Sequence, residues 1–422
     1  MTMISNMPRY EQMKDSGVEW LGEIPVGWQV RKIKYLFKIG RGRVISQQEL
    51  DELAVYPVYS SQTQDNGVLG YIHSYDFDCK QITWTTDGAN AGTIFLRDGK
   101  YSCTNVCGTL KPLSEKFSLE FCEKSLSVAA QYYKRPDTNG AKIMNGEMAE
   151  IFITFPSLPE QIAIANFLDQ KTAQIDQAIA LKQKQIDLFK ERKQLVIQQA
   201  VTKGLNPHAP MRDSGVEWIG EIPEHWEVLK LSHIARIDSG ATPDRTRANY
   251  WNGDIPWVKT GEVNYTDILE TEEYITKAGL KNSSTKLASS GTLLMAMYGQ
   301  GITRGRVALL GIPATYNQAC CGITFKSNFI NRFTLNFFIA AYPYIRDAGN
   351  ETSQMNLSTS YIATLKIVCP PLEEQTAIVA HIETQSAKID KAIDIQQQQI
   401  NKLKEYKATL INSAVTGKIK VV

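Results

Sequence analysis

The chain has 422 residues, enough for two domains of ordinary size plus connecting elements. Hydrophobic residues make up 43% and charged residues 21%, the balance of a globular chain with material for real cores. The net charge of +2 gives no chain-wide attraction to nucleic acid, so any such affinity must come from local basic patches or be shared with partner subunits.

Seven cysteines stand at positions 79, 103, 107, 122, 320, 321 and 369, with no CxxC pair and no histidine cluster beside them. Neither a zinc site nor a disulfide framework is expected. The N-terminus lacks the apolar segment of a signal peptide, and no apolar run reaches the roughly 18 residues of a membrane span. A soluble, cytoplasmic protein without membrane contact is expected.

In chain order the first element is an anchor, DSGVEWLGEIPVGWQVRKI from Asp15, which returns 198 residues later as DSGVEWIGEIPEHWEVLKL from Asp213. Trp20, Trp28, Trp218 and Trp226 lie in these copies and read as packing residues rather than base-stacking ones. The first variable block follows, with strands predicted at 55–59, 81–85, 93–96 and 151–155 and a helix over 118–133. Its polar, Gly-rich loops hold groups suited to phosphates and base edges. These candidates are Arg41, Arg43, Ser60, Ser61, Gln62, Thr63, Asn66, Thr86, Asp87 and Asn90, with Lys142 and Asn145 ahead of the closing strand. Taken singly, such a loop reads as a solvated turn just as readily.

The next element starts after Pro156. The stretch PSLPEQIAIANFLDQKTAQIDQAIALKQKQI returns 214 residues later, from Pro370, as PPLEEQTAIVAHIETQSAKIDKAIDIQQQQI. Apolar residues recur at heptad spacing: Leu168, Ile175, Ile179, Ile186, Phe189 and Val196 in the first copy, Ile382, Ile389, Ile393, Ile400, Leu403 and Leu410 in the second. The seams break at matching places, Lys182 with Gln396 and Lys193 with Lys407. Gly and Pro are absent from both interiors, so two long helices that pair with each other inside one chain are predicted. A helix from 160 to 202 would be about 64 Å long. That suffices to hold two readers roughly one DNA turn apart.

The second block is 16 residues longer than the first. Strands are predicted at 255–258, 292–298, 306–310 and 365–368, with a helix over 331–346. Its candidates are Thr242, Arg245, Arg247, Lys259, Thr260, Glu262, Tyr298, Gln300, Thr303 and Arg304. Gln354 and Asn356 complete the set, since SQMN at 353–356 parallels KIMN at 142–145. The fold class expected is α+β: two mixed α/β target-recognition domains separated by two long antiparallel coiled-coil helices, with pseudo-two-fold duplication. The boundaries are 1–155 for the first domain, 156–205 for its helix, 206–369 for the second domain and 370–422 for its helix.

These motifs resemble the specificity subunits of type I restriction–modification systems. The resemblance runs from about Asp15 to Lys418 and rests on SGVEWLGEIPxxW and its copy and on LxEQ at the start of each helix, Leu158 to Gln161 and Leu372 to Gln375. Gly240-Ala241-Thr242-Pro243, Ile255-Pro256-Trp257-Val258 and Gln354-Met355-Asn356-Leu357 add to it. The first block lacks the Gly-x-Thr-Pro and Ile-Pro-Trp pieces and carries Tyr56-Pro57-Val58-Tyr59-Ser60-Ser61, like a different recognition subtype. The resemblance implies a non-catalytic chain that reads a split site in double-stranded DNA. It also implies two adenine-methylating modification subunits and ATP-dependent restriction subunits as partners. S-adenosylmethionine, ATP and magnesium would belong to those partners, and this chain would hold no cofactor. In keeping with that, no GxxxxGK[ST] loop is present and the five histidines lack ligand spacing. The only Pro-Pro is Pro370-Pro371 at a helix start, so the [N/D]PP[Y/F] motif of amino-methyltransferases is missing. No catalytic, cofactor or metal residue is therefore expected. The alternative is a duplicated coiled-coil scaffold that joins proteins and binds no DNA.

Overall fold

The computed structural model describes residues 7–138, 140–299, 302–347 and 356–421. It divides into two compact units, Met1–Gln183 with Gln397–Val422, and Lys184–Gln396. Each holds one variable block together with parts of both long helices.

In the first unit, β1 (Gln29–Lys32) leads into β2 (Phe37–Arg41), β3 (Tyr56–Tyr59), β4 (Gln81–Thr85), β5 (Lys100–Cys103) and β6 (Cys107–Pro112). Helix α1 (Leu119–Ala129), a short helix α2 (Asn145–Glu150), strand β7 (Phe152–Phe155) and the long helix α3 (Leu158–Lys203) follow. Strands β2, β6, β4 and Ile94–Arg97 form one antiparallel sheet. In a second sheet β3 and β5 run parallel. Strand β4 is buried along its whole length, which is why it reads as an unbroken apolar and threonine run. The closing strand β7 returns to pair with β1.

The second unit repeats this order. It has β8 (Glu227–Lys230), β9 (Ala235–Ser239), β10 (Trp251–Val258), β11 (Leu293–Ala296), β12 (Thr315–Tyr316) and β13 (Cys320–Phe325). Helices α4 (Asn331–Asp347) and α5 (Thr359–Thr364), strand β14 (Lys366–Cys369) and the long helix α6 (Leu372–Val415) complete it. Here β9, β13 and β11 are neighbours in one sheet, β10 and β12 run parallel, and β14 pairs with β8.

Several expectations need correcting. Each block has a six-residue helix just before the closing strand, and the second block has two shorter ones at Leu231–Ile234 and Lys277–Lys281, where one helix per block was predicted. Strands such as β2 (FKIGR) and β6 (CGTLKP) escaped because glycine and lysine interrupt any apolar period. The alignment of Asn145 with Asn356 is also wrong. Asn145 opens α2 and Thr359 opens α5, so the offset of 214 pairs those two and leaves Asn356 opposite Lys142.

The repeated sequence motifs have a direct physical cause. Gln161 and Gln375 are both 1% exposed. Gln161 accepts from the Ser118 amide at 2.9 Å and donates to the Pro156 carbonyl at 2.9 Å. Gln375 accepts from the Ile330 amide at 2.9 Å and donates to Pro370 and Asn328 carbonyls at 2.9 and 3.1 Å. Each glutamine thus fastens the start of a long helix to the start of its block's own helix. The preceding glutamates also bond outward, Glu160 to the Tyr10 hydroxyl at 2.6 Å and Glu374 to the Trp226 indole at 3.0 Å.

Trp28 and Trp226 are buried against helix ends. Trp28 shares a cluster with Leu168, Leu410, Ala414 and Val415, and Trp226 one with Ile197, Ala200, Val201, Ile378 and Ile382. Trp20 and Trp218 are partly exposed and stack on Tyr132 and Tyr344, at 4.7 and 5.1 Å between ring centres.

Helices α3 and α6 lie antiparallel within each unit. In the first, Lys407 meets Asp176 at 2.6 Å and Lys182 donates to Gln399. In the second, Lys193 meets Asp390 at 2.7 Å. The two ion pairs are the same pair under the 214-residue repeat, so Lys182, Lys193 and Lys407, at polar breaks in the seams, each make a cross-helix bond or ion pair. Of the predicted seam residues, Leu168, Ile175, Ile186, Ile382, Ile389, Ile400 and Leu410 are buried. Ile179, Phe189, Val196, Ile393 and Leu403 are partly so.

Two predictions follow from these contacts. Gln375→Ala strands a buried amide N–H and two carbonyls, and should cost about 1–3 kcal/mol in urea unfolding of the second unit. Lys193→Glu should lower stability by less than about 1 kcal/mol, because the pair is half-exposed. Adding Asp390→Lys should restore it, read as recovery of the melting midpoint in a double-mutant cycle.

Candidate nucleic-acid interface

Six backbone hydrogen bonds in the first block have a counterpart in the second. Gly42 N–H donates to Cys107 C=O at 2.9 Å, and Gly240 N–H to Cys320 C=O at 3.1 Å. Arg43 donates to Cys103 (3.0 Å) as Ala241 does to Tyr316 (2.9 Å). Thr104 donates to Tyr59 (2.9 Å) and Asn317 to Val258 (3.0 Å). Cys107 closes a turn on Thr104, and Cys320 one on Asn317, each at 3.0 Å. Thr86 donates to Val106 (3.0 Å) and Met297 to Ala319 (2.8 Å). Finally Ile143 donates to Thr86 (2.8 Å) and Leu357 to Met297 (3.0 Å). The frame gathers the ends of β2, β3, β4 and β5 in one block and of β9, β10, β11 and β12 in the other.

At its centre is a three-residue turn, Thr104-Asn105-Val106 or Asn317-Gln318-Ala319. The approach is so close that only glycine fits opposite. A Cβ on Gly42 would lie 2.2 Å from the Cys103 carbonyl oxygen, and one on Gly240 would lie 2.1 Å from that of Asn317.

In the first block the frame collects most of the predicted loop residues. Thr104 donates to the Ser60 hydroxyl at 3.0 Å, Asn90 to the Ser61 carbonyl at 3.3 Å, and Arg41 Nε to the Asn105 carbonyl. Arg41, Arg43, Thr63, Asn66 and Asn90 are exposed, while Ser60, Ser61 and Asp87 are partly so. Asp65 and Asn66 hold left-handed backbone, φ +47° and +53°, which these side chains tolerate best after glycine. Lys142 pairs with Asp137 at 2.9 Å. Other candidates face inward. Thr86 is fully buried and bonds Val106, Gln62 donates to the Val68 carbonyl, and the Asn145 carbonyl oxygen is shielded from solvent.

In the second block, Thr242 donates to Gln318 Oε1, and Thr260 to Asn317 Oδ1 at 3.1 Å. Tyr298 (38% exposed) follows Met297 on the frame, and Asn356 (exposed) precedes Leu357. Arg245 lies over Trp251 and Trp257, 4.0 and 4.9 Å from their ring centres, with Glu273 at 2.6 Å. Arg247 donates to the Tyr250 hydroxyl at 2.9 Å. Glu262 spends both oxygens on the backbone amides of Lys259 and Glu272, and so holds a turn. Arg304 is 7% exposed and donates to the Arg346 carbonyl, so its guanidinium serves the fold and is not offered to a ligand. Thr303 is partly exposed. Gln300 and Gln354 lie outside the described residues.

Five of the candidate cations, Arg43, Lys142, Arg245, Arg247 and Lys259, lie beside acids. Arg43 contacts Glu49 at 2.7 Å and Asp76 at 3.1 Å, and Lys259 contacts Glu272 at 2.5 Å. The bond to Glu49 pushes the Arg43 pKa up, and that to Glu272 does the same for Lys259, so both stay charged. Among the described residues no cluster of His, Cys, Asp and Glu could hold a metal ion, and all seven cysteines are free thiols. No helix is long and apolar enough to cross a membrane.

The turn residues Thr104 to Val106 and Asn317 to Ala319 were missed by the sequence reading. Their one signal was faint: each precedes a cysteine and a short glycine-containing strand.

Comparison with known proteins places this arrangement. The family model for the type I restriction modification DNA specificity domain matches twice, over residues 25–187 and 223–405. The chain belongs to that family, and so is a specificity subunit rather than a catalytic one. The type I restriction enzyme MjaVIII specificity subunit of Methanocaldococcus jannaschii is 26% identical, over 94% of each chain. The MpnII specificity subunit of Mycoplasma pneumoniae is 33% identical over 39% of this chain and 52% of its own. Among solved structures, one described as the basis of complex assembly and conformational transition of the type I R-M system contains a similar chain. It has TM-score 0.71 and 13% identity, covering 93% of this chain and 98% of that one. The HsdS subunit from Thermoanaerobacter tengcongensis gives TM-score 0.53 at 14% identity, over 94% and 98%. The fold is thus a known one.

Because a methyl group at Gly240 would enter a backbone carbonyl, Gly240→Ala should destabilise the second unit by about 1–3 kcal/mol. Chemical denaturation checks this, and Gly261→Ala, whose Cβ would meet nothing within 4 Å, serves as the control.

Proposed function

We propose that this chain reads a two-part target in double-stranded DNA, one half per block, and carries it to partner subunits. The observation that carries the reading is the matched frame: two blocks share one hydrogen-bonded scaffold and present different side chains on it. That is the economy expected of two readers with one architecture and two vocabularies. The exposed groups around each frame (arginine, lysine, threonine, asparagine, glutamine) are those that meet phosphates and base edges.

The partners proposed are two adenine-methylating modification subunits and ATP-dependent restriction subunits. S-adenosylmethionine, ATP and magnesium would act on those partners, and extrusion of the adenine from the duplex would fall to the methylating subunit. The paired helices would set the length of a non-specific spacer between the two halves.

Exchange of residues 212–369 for the matching segment of another family member tests this in cells carrying the whole system. Long-read sequencing of genomic DNA should show a methylated motif altered in one half only. A motif altered in both halves, or in neither, overturns the division of labour.

A further inference from the structure

We infer that the central turn is the base-reading tip of each block, with Asn105 and Gln318 as corresponding specificity residues that each read an adenine edge. This rests on the DNA-reading function proposed above and goes further, to one position per block.

The two residues are equivalent by hydrogen bonding and not by sequence similarity. Both occupy the middle of a turn closed by a cysteine N–H, Cys107 on Thr104 and Cys320 on Asn317. Both are exposed, between buried or half-buried neighbours. The turn is rigid at its base, because the Gly42 and Gly240 backbones press against its carbonyls. It is also steadied at its tip. Arg41 Nε donates to the Asn105 carbonyl in one block, and the Thr242 hydroxyl holds Gln318 Oε1 in the other. The Arg41 bond reaches the main-chain carbonyl and so holds the backbone that presents Asn105, whereas the Thr242 bond holds the Gln318 side chain itself; a reading group is better placed when its support is fixed before the base arrives.

The chemistry of the two side chains is shared although the residues differ. Each amide offers one donor group and one acceptor on a short plane, the pattern complementary to the N6 and N7 positions of adenine in the major groove. Around them the frame is constant and the other turn positions change, threonine to asparagine and valine to alanine. A turn kept only for folding would have no need for an exposed amide at the Asn105 tip, since among the described residues nothing in the fold uses that side chain, while Gln318 keeps its amide nitrogen and one lone pair of Oε1 beyond its bond from Thr242. The difference in length, one methylene, alters reach without altering the hydrogen-bonding pattern.

The test uses the complete system in cells, with methylated motifs read by long-read sequencing for the native chain, N105A, Q318A, N105Q and Q318N. The expected result is that N105A relaxes one adenine-containing position in the half-site assigned to the first block. Q318A should do the same only in the other half. Discrimination at that position should fall at least about fivefold, the lower bound for loss of a bidentate base contact. If an alanine variant abolishes methylation, recovery by N105Q or Q318N supports the amide's role, and failure to recover overturns it. Motifs unchanged in both alanine variants would also overturn the inference while leaving the DNA-reading function standing. A native chain that specifies no two-part motif would instead defeat the reading on which it rests.

Discussion

The pairing of α3 with α6 inside one polypeptide is the constraint on which the architecture depends. Because the helices run antiparallel, each compact unit draws on both: the first on the start of α3 and the end of α6, the second on the end of α3 and the start of α6. Leu410, Ala414 and Val415 therefore complete the core around Trp28, although almost the whole chain separates them in sequence. The ion pairs Lys407–Asp176 and Lys193–Asp390 contribute little energy each, being half-exposed. Their value is in register, since a slip along the seam would part both lysines from these aspartates. The energy comes from the buried leucine, isoleucine and alanine side chains between them.

The glutamine that opens each long helix carries this constraint into the blocks. A buried side-chain amide with partners at both ends tolerates no shift, because an unmade bond there costs more than a made one gains. Gln161 and Gln375 consequently fix where α1 and α4 begin relative to α3 and α6. That explains why Leu-x-Glu-Gln appears at the start of both long helices while the intervening sequence drifts. The long helices and their motifs were legible in the sequence because periodicity and repetition are long-range signals that a single substitution cannot erase.

The blocks were harder to read, for local reasons. Strands β3, β4 and β10 were visible as apolar or β-branched runs. Strand β2, with glycine and arginine at its end, owes its conformation to pairing with β6, a tertiary effect that no window of sequence contains. The candidate loops were found as loops, but which of their side chains face outward depends on packing. Thr86 and Arg304 looked like ligand groups and are buried, one bonding Val106 and the other Arg346. Asn145 and Asn356 looked like a matched pair because KIMN resembles SQMN, whereas the helix starts set a register three residues away, with Asn145 opposite Thr359 and Asn356 opposite Lys142. The turn at Asn105 and Gln318 left almost no trace, since its equivalence lies in backbone hydrogen bonds.

A nearly neutral chain that works on DNA needs its cations disciplined. Arg43, Arg245, Lys142 and Lys259 each sit beside an acid. A phosphate approaching such a pair competes with a carboxylate already in place, so the gain from each contact is smaller than for a free cation. Non-specific attraction to the duplex is weakened at every sequence, whereas hydrogen bonds from neutral side chains to base edges are not. Pairing the cations internally therefore shifts the balance of binding from charge toward sequence. A subunit whose task is discrimination gains from that shift.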